Sequence, residues 1–483
     1  MDQHTNKATS ALIIAGGEGA RLQTVTGPAP KPLMKLCGVP LIKRIILTAG
    51  RAGITRFVIV TGYETERFHE TLSQDPGLDG CRIEWVHNER WHMPNGVSVL
   101  AARSRLAEPF VLLMADHLFE GQTLERLLEE PVVEGECLLA VDRKIERVFD
   151  LDDATKVEVR KDRVVRIDKG LREFNAVDTG MFLCTPALFD ALDAVDGPEG
   201  CALSDGIRAL AGEGKMRAFD IGEGFWQDVD TPEMLAHGEK TLVRRLVKPT
   251  DGWVSRYINR PLSTRISRWL VRTPVTPNMV TLVTFLSGLL GAWFVLDGAY
   301  WSVLLGALLF QVSSILDGCD GEVAALTFRE SKYGSWLDTI TDNLTYLAFF
   351  SAVVWAYADG SDETAIRSLG LVSVAVVAAS ILAMYYYLMQ TGGSGSLVRF
   401  NRAFERHAVG RRRDLSARLL NLFRMMCKRD FFTLLLLVFA ALGFLNWMFW
   451  TVTAGGLAMG VAIFISTGRL LARDRAVEQV ERS

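Results

Sequence analysis

Apolar and polar positions follow two different regimes along the chain. In roughly the first half, short apolar runs end in glycine or acidic residues, as in "ALIIAGG", "RFVIVTG" and "FVLLMADH". Runs of this length, bounded by turn formers, suit strands buried on both faces of a parallel sheet. Longer mixed stretches between them read as helices. Strands alternating with helices predict βαβ units and a mostly parallel α/β sheet. Such sheets bind ligands beyond the carboxyl ends of their strands, which is where Gly16, Gly17, Asp116 and His117 fall.

From about residue 279 the pattern changes. Apolar segments follow one another at 279–296, 300–316, 336–358, 369–389, 431–448 and 452–471. Each approaches the roughly 20 residues that cross a bilayer. Six such runs in succession predict an all-α polytopic domain of six transmembrane helices rather than helices buried in a large soluble core. The expected division is a cytosolic domain over 1–245, a juxtamembrane segment over 246–278 and a membrane domain over 279–475. A chain of 483 residues is too long for one ordinary core, which agrees with that division.

The total net charge of −3 says little, but its distribution sets a topology. Eight Lys or Arg and a single acid, Asp251, lie between Arg244 and Arg272, and ten Lys or Arg lie between Arg399 and Arg429. The loop "DGSDE" is acidic. The positive-inside rule puts both basic stretches in the cytoplasm, and the even number of spans returns the C-terminus there. We therefore expect a multi-pass protein of the cytoplasmic (inner) membrane, with the first domain and the C-terminus on the cytoplasmic side. The basic segment 244–272 is expected to lie on the membrane surface. The seven cysteines form no CxxC pair, so neither a zinc site nor a disulfide framework is expected. The polar start "MDQHTNKATS" predicts no cleavable signal peptide. Expected partners are small-molecule substrates and membrane lipid, with no nucleic acid; a homodimer is left open.

Two strings carry chemistry. In "AGGEGARLQTVTGPAPKPLMKLCGVPLI", Gly16, Gly17 and Gly19 follow a strand and let backbone N–H groups approach phosphates. Arg21 adds a fixed positive fork suited to a triphosphate, and Lys31 can place a point charge on the phosphate under attack. The string is neither a GxGxxG fingerprint nor a Walker loop. In "DGCDGEVAALTFRESKYGSWLDTITDN", Asp317 and Asp320 are three apart, and Asp338 and Asp342 four apart. Both spacings put carboxylates on one helix face. Four carboxylates gathered there repel unless cations separate them, and hard ions such as Mg2+ or Mn2+ suit such ligands. Gly321 and Gly334 allow close helix approach or ligand access.

The first string resembles the signature of sugar-phosphate nucleotidyltransferases. That likeness extends over about the first 240 residues and implies a Rossmann-like fold. It implies metal ligands at Asp116 and Asp230, with nucleotide contacts at Asn95 and Gly96. It also places Lys169 on the substrate phosphate and puts Asp178 and Gly180 on the substrate-binding strand. Ala20 stands where that family has threonine. The second string resembles the CDP-alcohol phosphotransferase motif, DxxDGxxAR followed by GxxxDxxxD, with Ala325 in place of its arginine. Arg329 or a juxtamembrane arginine could substitute for it. The likeness implies Asp342 as general base, Asp317, Asp320 and Asp338 chiefly as metal ligands, and Asn278 in "TPNMVT" near the nucleotide.

The domain order resembles that of bifunctional enzymes joining an inositol-1-phosphate cytidylyltransferase to a di-myo-inositol phosphate phosphate synthase. The resemblance implies CTP and inositol 1-phosphate as substrates and a CDP-alcohol, CDP-inositol, as the shared intermediate. It makes Arg256, Asn259, Arg260 and Arg265 candidates for the acceptor phosphate pocket. Two alternatives stay open: transfer onto a lipid acceptor, and a membrane-anchored nucleotidyltransferase whose second domain is inactive.

Overall fold

The structure is a computed structural model that describes residues 7–17, 30–248, 251–359, 363–390 and 429–481, with side chains as far as 468. Gly19, Ala20, Arg21, most of the acidic loop and the basic run up to residue 428 lie outside the described residues. The chain divides into two compact units, Met1–Leu242 and Val243–Ser483.

The first unit is built on a nine-stranded sheet. Its strands are β1 (Ser10–Ile14), β2 (Arg56–Thr61), β3 (Arg82–His87), β4 (Phe110–Met114), β5 (Cys137–Asp142), β6 (Lys156–Arg160), β7 (Arg163–Asp168), β8 (Ala176–Cys184) and β9 (Met216–Asp220). They lie in the order β3-β2-β1-β4-β8-β5-β9-β7-β6. β1 pairs in parallel with β2 and β4, β2 with β3, and β5 with β9. The expected mostly parallel sheet is present, but β8 runs antiparallel between β4 and β5, and β7 runs antiparallel to β9 and β6.

Neighbouring residues of the central strands point to opposite faces, as the two-residue period requires. Ile13, Leu113 and Met181 pack on one face with Ile42, Ile45 and Phe68. Leu12, Leu112 and Phe182 pack on the other with Phe110, Phe189 and Ile207. Burial on both faces explains why these strands read as unbroken apolar runs.

The second unit is helical: α1 (Arg260–Leu270), α2 (Pro277–Val295), α3 (Tyr300–Thr327), α4 (Lys332–Asp359), α5 (Thr364–Gln390), α6 (Arg429–Ala441) and α7 (Leu445–Glu481). Among the described residues four helices are long and apolar enough to cross a membrane: α2, α3, α5 and Leu445–Gly468 within α7. α4 has 28 residues, but Asp338, Asp342, Asn343 and its threonines dilute its apolar character. α6 has 13 described residues.

The run read as one span over 431–448 is two helices. Gly443 adopts φ +73°, Phe444 N–H donates to Phe439 C=O at 2.8 Å, and Gly443 N–H donates to Ala440 C=O at 3.1 Å. This is a Schellman ending, which glycine accommodates without a Cβ penalty. α7 therefore begins at Leu445, ahead of the expected 452. α2 and α3 approach closely over glycine: a Cβ on Gly306 would lie 2.5 Å from the Gly291 carbonyl.

Candidate active sites

In the first unit a small antiparallel pair outside the main sheet assembles the carboxylates. His117–Phe119, directly after Asp116, pairs with Trp226–Asp228, and His117 stands opposite Asp228. Asp116 and Asp230 thereby flank one point. Lys31, held in the short turn Lys31–Leu33 behind Pro30, projects into it. Its Nζ donates to Asp116 Oδ2 at 2.6 Å and also to Asp230 Oδ1. The lysine is only 8% exposed.

Electrostatics fix the charge states. Burial pushes the Asp116 carboxyl up, but Lys31 and His117 outweigh it and hold the group at about 2. Burial pulls Lys31 down, yet its two carboxylate partners win and the ammonium is held more firmly than usual. At Asp228 burial, helped by the nearby Asp230 and Asp116, outweighs His117 and Lys31 and pushes the carboxyl up. Burial likewise raises Asp178 to about 6, against the Gly180 N–H that donates to it at 2.7 Å and the nearby His117.

Asp178 and Gly180 lie on β8 at a register shift. Gly180 has φ +72°, and a Cβ there would come within 2.2 Å of His117 Nδ1. That ring donates from Nδ1 to the Thr179 carbonyl at 2.8 Å, leaving Nε2 3.7 Å from Asp116 Oδ1. The bulge, the histidine and the metal-type carboxylate are thus one assembly.

Other expected site residues are placed differently. Gly16 and Gly17 follow β1; a Cβ on Gly16 would meet Ser98 Oγ at 3.4 Å, and one on Gly17 would meet nothing within 4 Å. Asn95 Oδ1 accepts from Leu203 N–H at 2.9 Å, and a Cβ on Gly96 would lie 2.6 Å from the Cys201 carbonyl. Both pack the helix Asn95–Ala101 against the segment after residue 200. Lys169 is exposed and pairs with Asp153 at 2.9 Å, outside the Lys31 group.

In the second unit α3 and α4 bring the motif carboxylates together. Ligand oxygens of Asp317, Asp338 and Asp342 all lie within 4.8 Å of one another, an all-oxygen set that fits a hard divalent ion. Asp320 is buried beside them and accepts from Thr281 Oγ1 of α2 at 2.7 Å and from Gly321 N–H at 2.5 Å. Around Gly321 a Cβ would meet nothing within 4 Å, and one on Gly334 would lie 3.1 Å from Asn278 Oδ1. The motif glycines therefore border open space at one point and Asn278 at the other.

Sequence reasoning missed Arg429. Its Nη1 bonds Asp342 Oδ2 and lies 3.1 Å from Asp317 Oδ2, while its guanidinium sits 4.9 Å over the Tyr346 ring. Together with Ser335, Asp338, Thr339, Asp342, Asn343 and Tyr346 it lines a cavity of 310 Å³. The available signal was its position, directly before the fifth apolar run.

The four juxtamembrane candidates divide. Arg256 and Arg265 are exposed. Asn259 is buried, donating to Ser314 at 3.3 Å and accepting from Gln311 at 3.0 Å. Arg260 is held by Asp251 at 3.0 Å and Glu322 at 2.6 Å.

Residues 11–214 match the MobA-like NTP transferase domain, and residues 274–464 match the CDP-alcohol phosphatidyltransferase family. A curated relative from Aquifex aeolicus, a bifunctional IPC transferase and DIPP synthase, is 36% identical over 346 residues, covering 71% of this chain and 76% of its own length. The chain belongs to the bifunctional IPC transferase and DIPP synthase family. Another member, from Archaeoglobus fulgidus, is 34% identical over 352 residues, covering 73% of this chain and 67% of its own. The solved inositol-1-phosphate CTP transferase from T. maritima aligns with 48% of this chain and 94% of its own length, at 26% identity and a TM-score of 0.45. Membership makes the chain an enzyme with two transferase domains; the first matched region contains Lys31 and Asp116, and the second contains Asp317, Asp338 and Asp342.

Proposed function

We propose that the first unit makes CDP-inositol from CTP and inositol 1-phosphate, and that the second transfers phosphoinositol from it to another inositol 1-phosphate. In the first reaction a phosphate oxygen of inositol 1-phosphate attacks the α-phosphorus of CTP and pyrophosphate leaves. Lys31, poised at two carboxylates, neutralises charge building on the reacting phosphate. Asp178, Gly180 and Lys169 are the candidates on the inositol phosphate side. Gly16, Gly17, Gly19, Arg21, Asn95 and Gly96 are the candidates on the nucleotide side.

In the second reaction an acceptor hydroxyl attacks the β-phosphorus of CDP-inositol, its proton passes to Asp342, and CMP leaves. Arg429, beside Asp342 and facing the cavity, offers a planar cation to phosphate oxygens. Arg256 and Arg265 are the more accessible juxtamembrane candidates for the acceptor phosphate. A divalent ion, Mg2+ or Mn2+, held by Asp116 and Asp230 in one unit and by Asp317, Asp320, Asp338 and Asp342 in the other, would neutralise phosphate charge. Six crossings with both termini in the cytoplasm would leave CDP-inositol made and used on one side, at a high effective concentration.

The observation that carries this reading is the convergence of Asp317, Asp338 and Asp342 with Arg429 in the chain that also builds the Lys31 site. Mass spectrometry of products from the purified full-length protein, given CTP and a panel of alcohol phosphates, tests it. CDP-inositol, then CMP and a phosphorylated di-inositol product, are expected. No CDP-inositol from inositol 1-phosphate refutes the substrate; labelled product that extracts into organic solvent refutes the soluble acceptor. Asp342→Asn should abolish CMP release and spare pyrophosphate release.

A further inference from the structure

The most deeply buried carboxylate of the motif region lies outside the metal-type cluster. Glu322 is 2% exposed, and the site just described gives it no task. It sits two residues beyond Asp320 on α3, so the two side chains leave the helix on different faces. Asp320 turns to Thr281 of α2, while Glu322 turns to α1.

α1 meets it with a polar stripe. Arg260, Ser263 and Ser267, spaced three and four apart, share one helix face. Glu322 Oε1 accepts from Arg260 Nη1 at 2.6 Å and from Ser263 Oγ at 2.7 Å, and Oε2 accepts from Ser267 Oγ at 2.7 Å. Arg260 Nε reaches back to Asp251 at 3.0 Å. The helices touch closely at the same place: a Cβ on Gly318 would lie 3.3 Å from Ser263 Oγ, and Cys319 Sγ donates to the Ser263 carbonyl at 3.5 Å. Gly318 and Cys319 are the residues between Asp317 and Asp320.

An apolar interface between these helices would tolerate sliding or rotation. A buried carboxylate with three donors does not, because any other register leaves a charge unpaired. We infer that Glu322, clasped by Arg260, Ser263 and Ser267 of α1, is a positioning residue that fixes the rotation and height of the Asp317–Asp320 turn for metal binding. Arg260 is then the counter-ion of this clasp rather than a ligand of the acceptor. The inference rests on the proposed role of the membrane aspartates as metal ligands.

The test measures Mn2+ affinity by electron paramagnetic resonance on full-length protein in detergent. Asp116→Asn and Asp230→Asn are present throughout, so that the membrane site alone is counted. Adding Glu322→Gln should weaken Mn2+ binding about 10–100-fold, the range seen when groups supporting metal ligands are removed. Ser267→Ala should weaken it several-fold, and Ser267→Thr, which keeps the hydroxyl, should restore it. In parallel, CMP release from supplied CDP-inositol, measured with both first-unit aspartates intact, should require correspondingly more Mn2+ in the same two variants.

A clasp that merely stabilises the fold would reduce the yield of protein but leave the affinity of the folded fraction unchanged. Unchanged affinity in folded Ser267→Ala and Glu322→Gln overturns the inference. If Glu322→Gln does not fold, Ser267→Ala decides alone. Should the parent bind no Mn2+ that Asp317→Asn removes, it is the metal reading itself that falls.

Discussion

Replacing Lys31 by methionine tests whether the ammonium between Asp116 and Asp230 has the electrostatic role its geometry suggests. Asp116 is held at about 2 in the folded protein, against about 3.9 for a free aspartate. Slightly less than two pKa units correspond to about 2.5 kcal/mol at 1.36 kcal/mol per unit. The Asp116 side chain is 32% exposed, so solvent screening lowers the expected contribution to about 1–2 kcal/mol. For a unit of this size that is roughly 2–8 °C in melting temperature.

The sign with pH follows from the direction of the shift. A depressed carboxylate contributes stability above its unfolded pKa and loses it as pH falls through the folded one. The gap between wild type and Lys31→Met should therefore be full near pH 7 and close between about pH 4 and pH 2. Thermal unfolding of the full-length protein in EDTA, followed by intrinsic fluorescence across that range, measures it. Equal stability at pH 7, or a gap that widens toward pH 3, would refute the reasoning. Separately, pyrophosphate release should fall on the order of 100-fold or more, the usual cost of losing a positioned charge at a transferring phosphate.

Two further outcomes concern the membrane unit. Arg429→Gln should lower CMP release by about 100-fold while leaving pyrophosphate release intact, and Arg429→Lys should recover little, because a point charge cannot bridge Asp317 and Asp342 as a guanidinium does. Ala325→Arg should change CMP release less than about twofold, since Arg429 already supplies a cation to the aspartates and Arg260 already pairs with Glu322 one turn before position 325; a tenfold gain would show that neither replaces the motif arginine.

The features legible in the sequence are those governed by local spacing. Burial on both faces made β1, β2 and β4 visible as unbroken apolar runs, and three- and four-residue spacings marked the four aspartates as pairs sharing a helix face. Features made by contacts distant in sequence were not legible. Arg429 reaches Asp342 across 87 residues, and within a basic stretch its charge served only to place that stretch in the cytoplasm. The break at Gly443 was hidden because Ala441 and Leu442 before it and Phe444 and Leu445 after it keep the apolar run unbroken on both sides of one left-handed residue. Asn95 and Gly96 have the composition of a ligand loop, yet their contacts are with Leu203 and Cys201, which spacing cannot foresee. Arg260 reads in the sequence as a candidate for the acceptor phosphate pocket, and its pairing with Glu322, 62 residues away, is not visible in spacing.

The antiparallel strand β8 has a consequence for how the chain is made. It fills the centre of the sheet, between β4 and β5, and also touches β6. The β4 and β5 sides of the sheet cannot join through β8 until Cys184 has been synthesised, although β1 has been waiting since residue 14. About ninety residues separate Cys184 from the start of α2. At roughly 5–20 residues per second, the nascent first unit has on the order of 5–20 s to join the two sides of its sheet across β8 before the first membrane span is translated. That interval separates two folding problems with different solvents. Slowing the late pairing of β8 would expose unpaired strands just as greasy helices arrive, making biogenesis, rather than equilibrium stability, the step at which this fusion is most vulnerable.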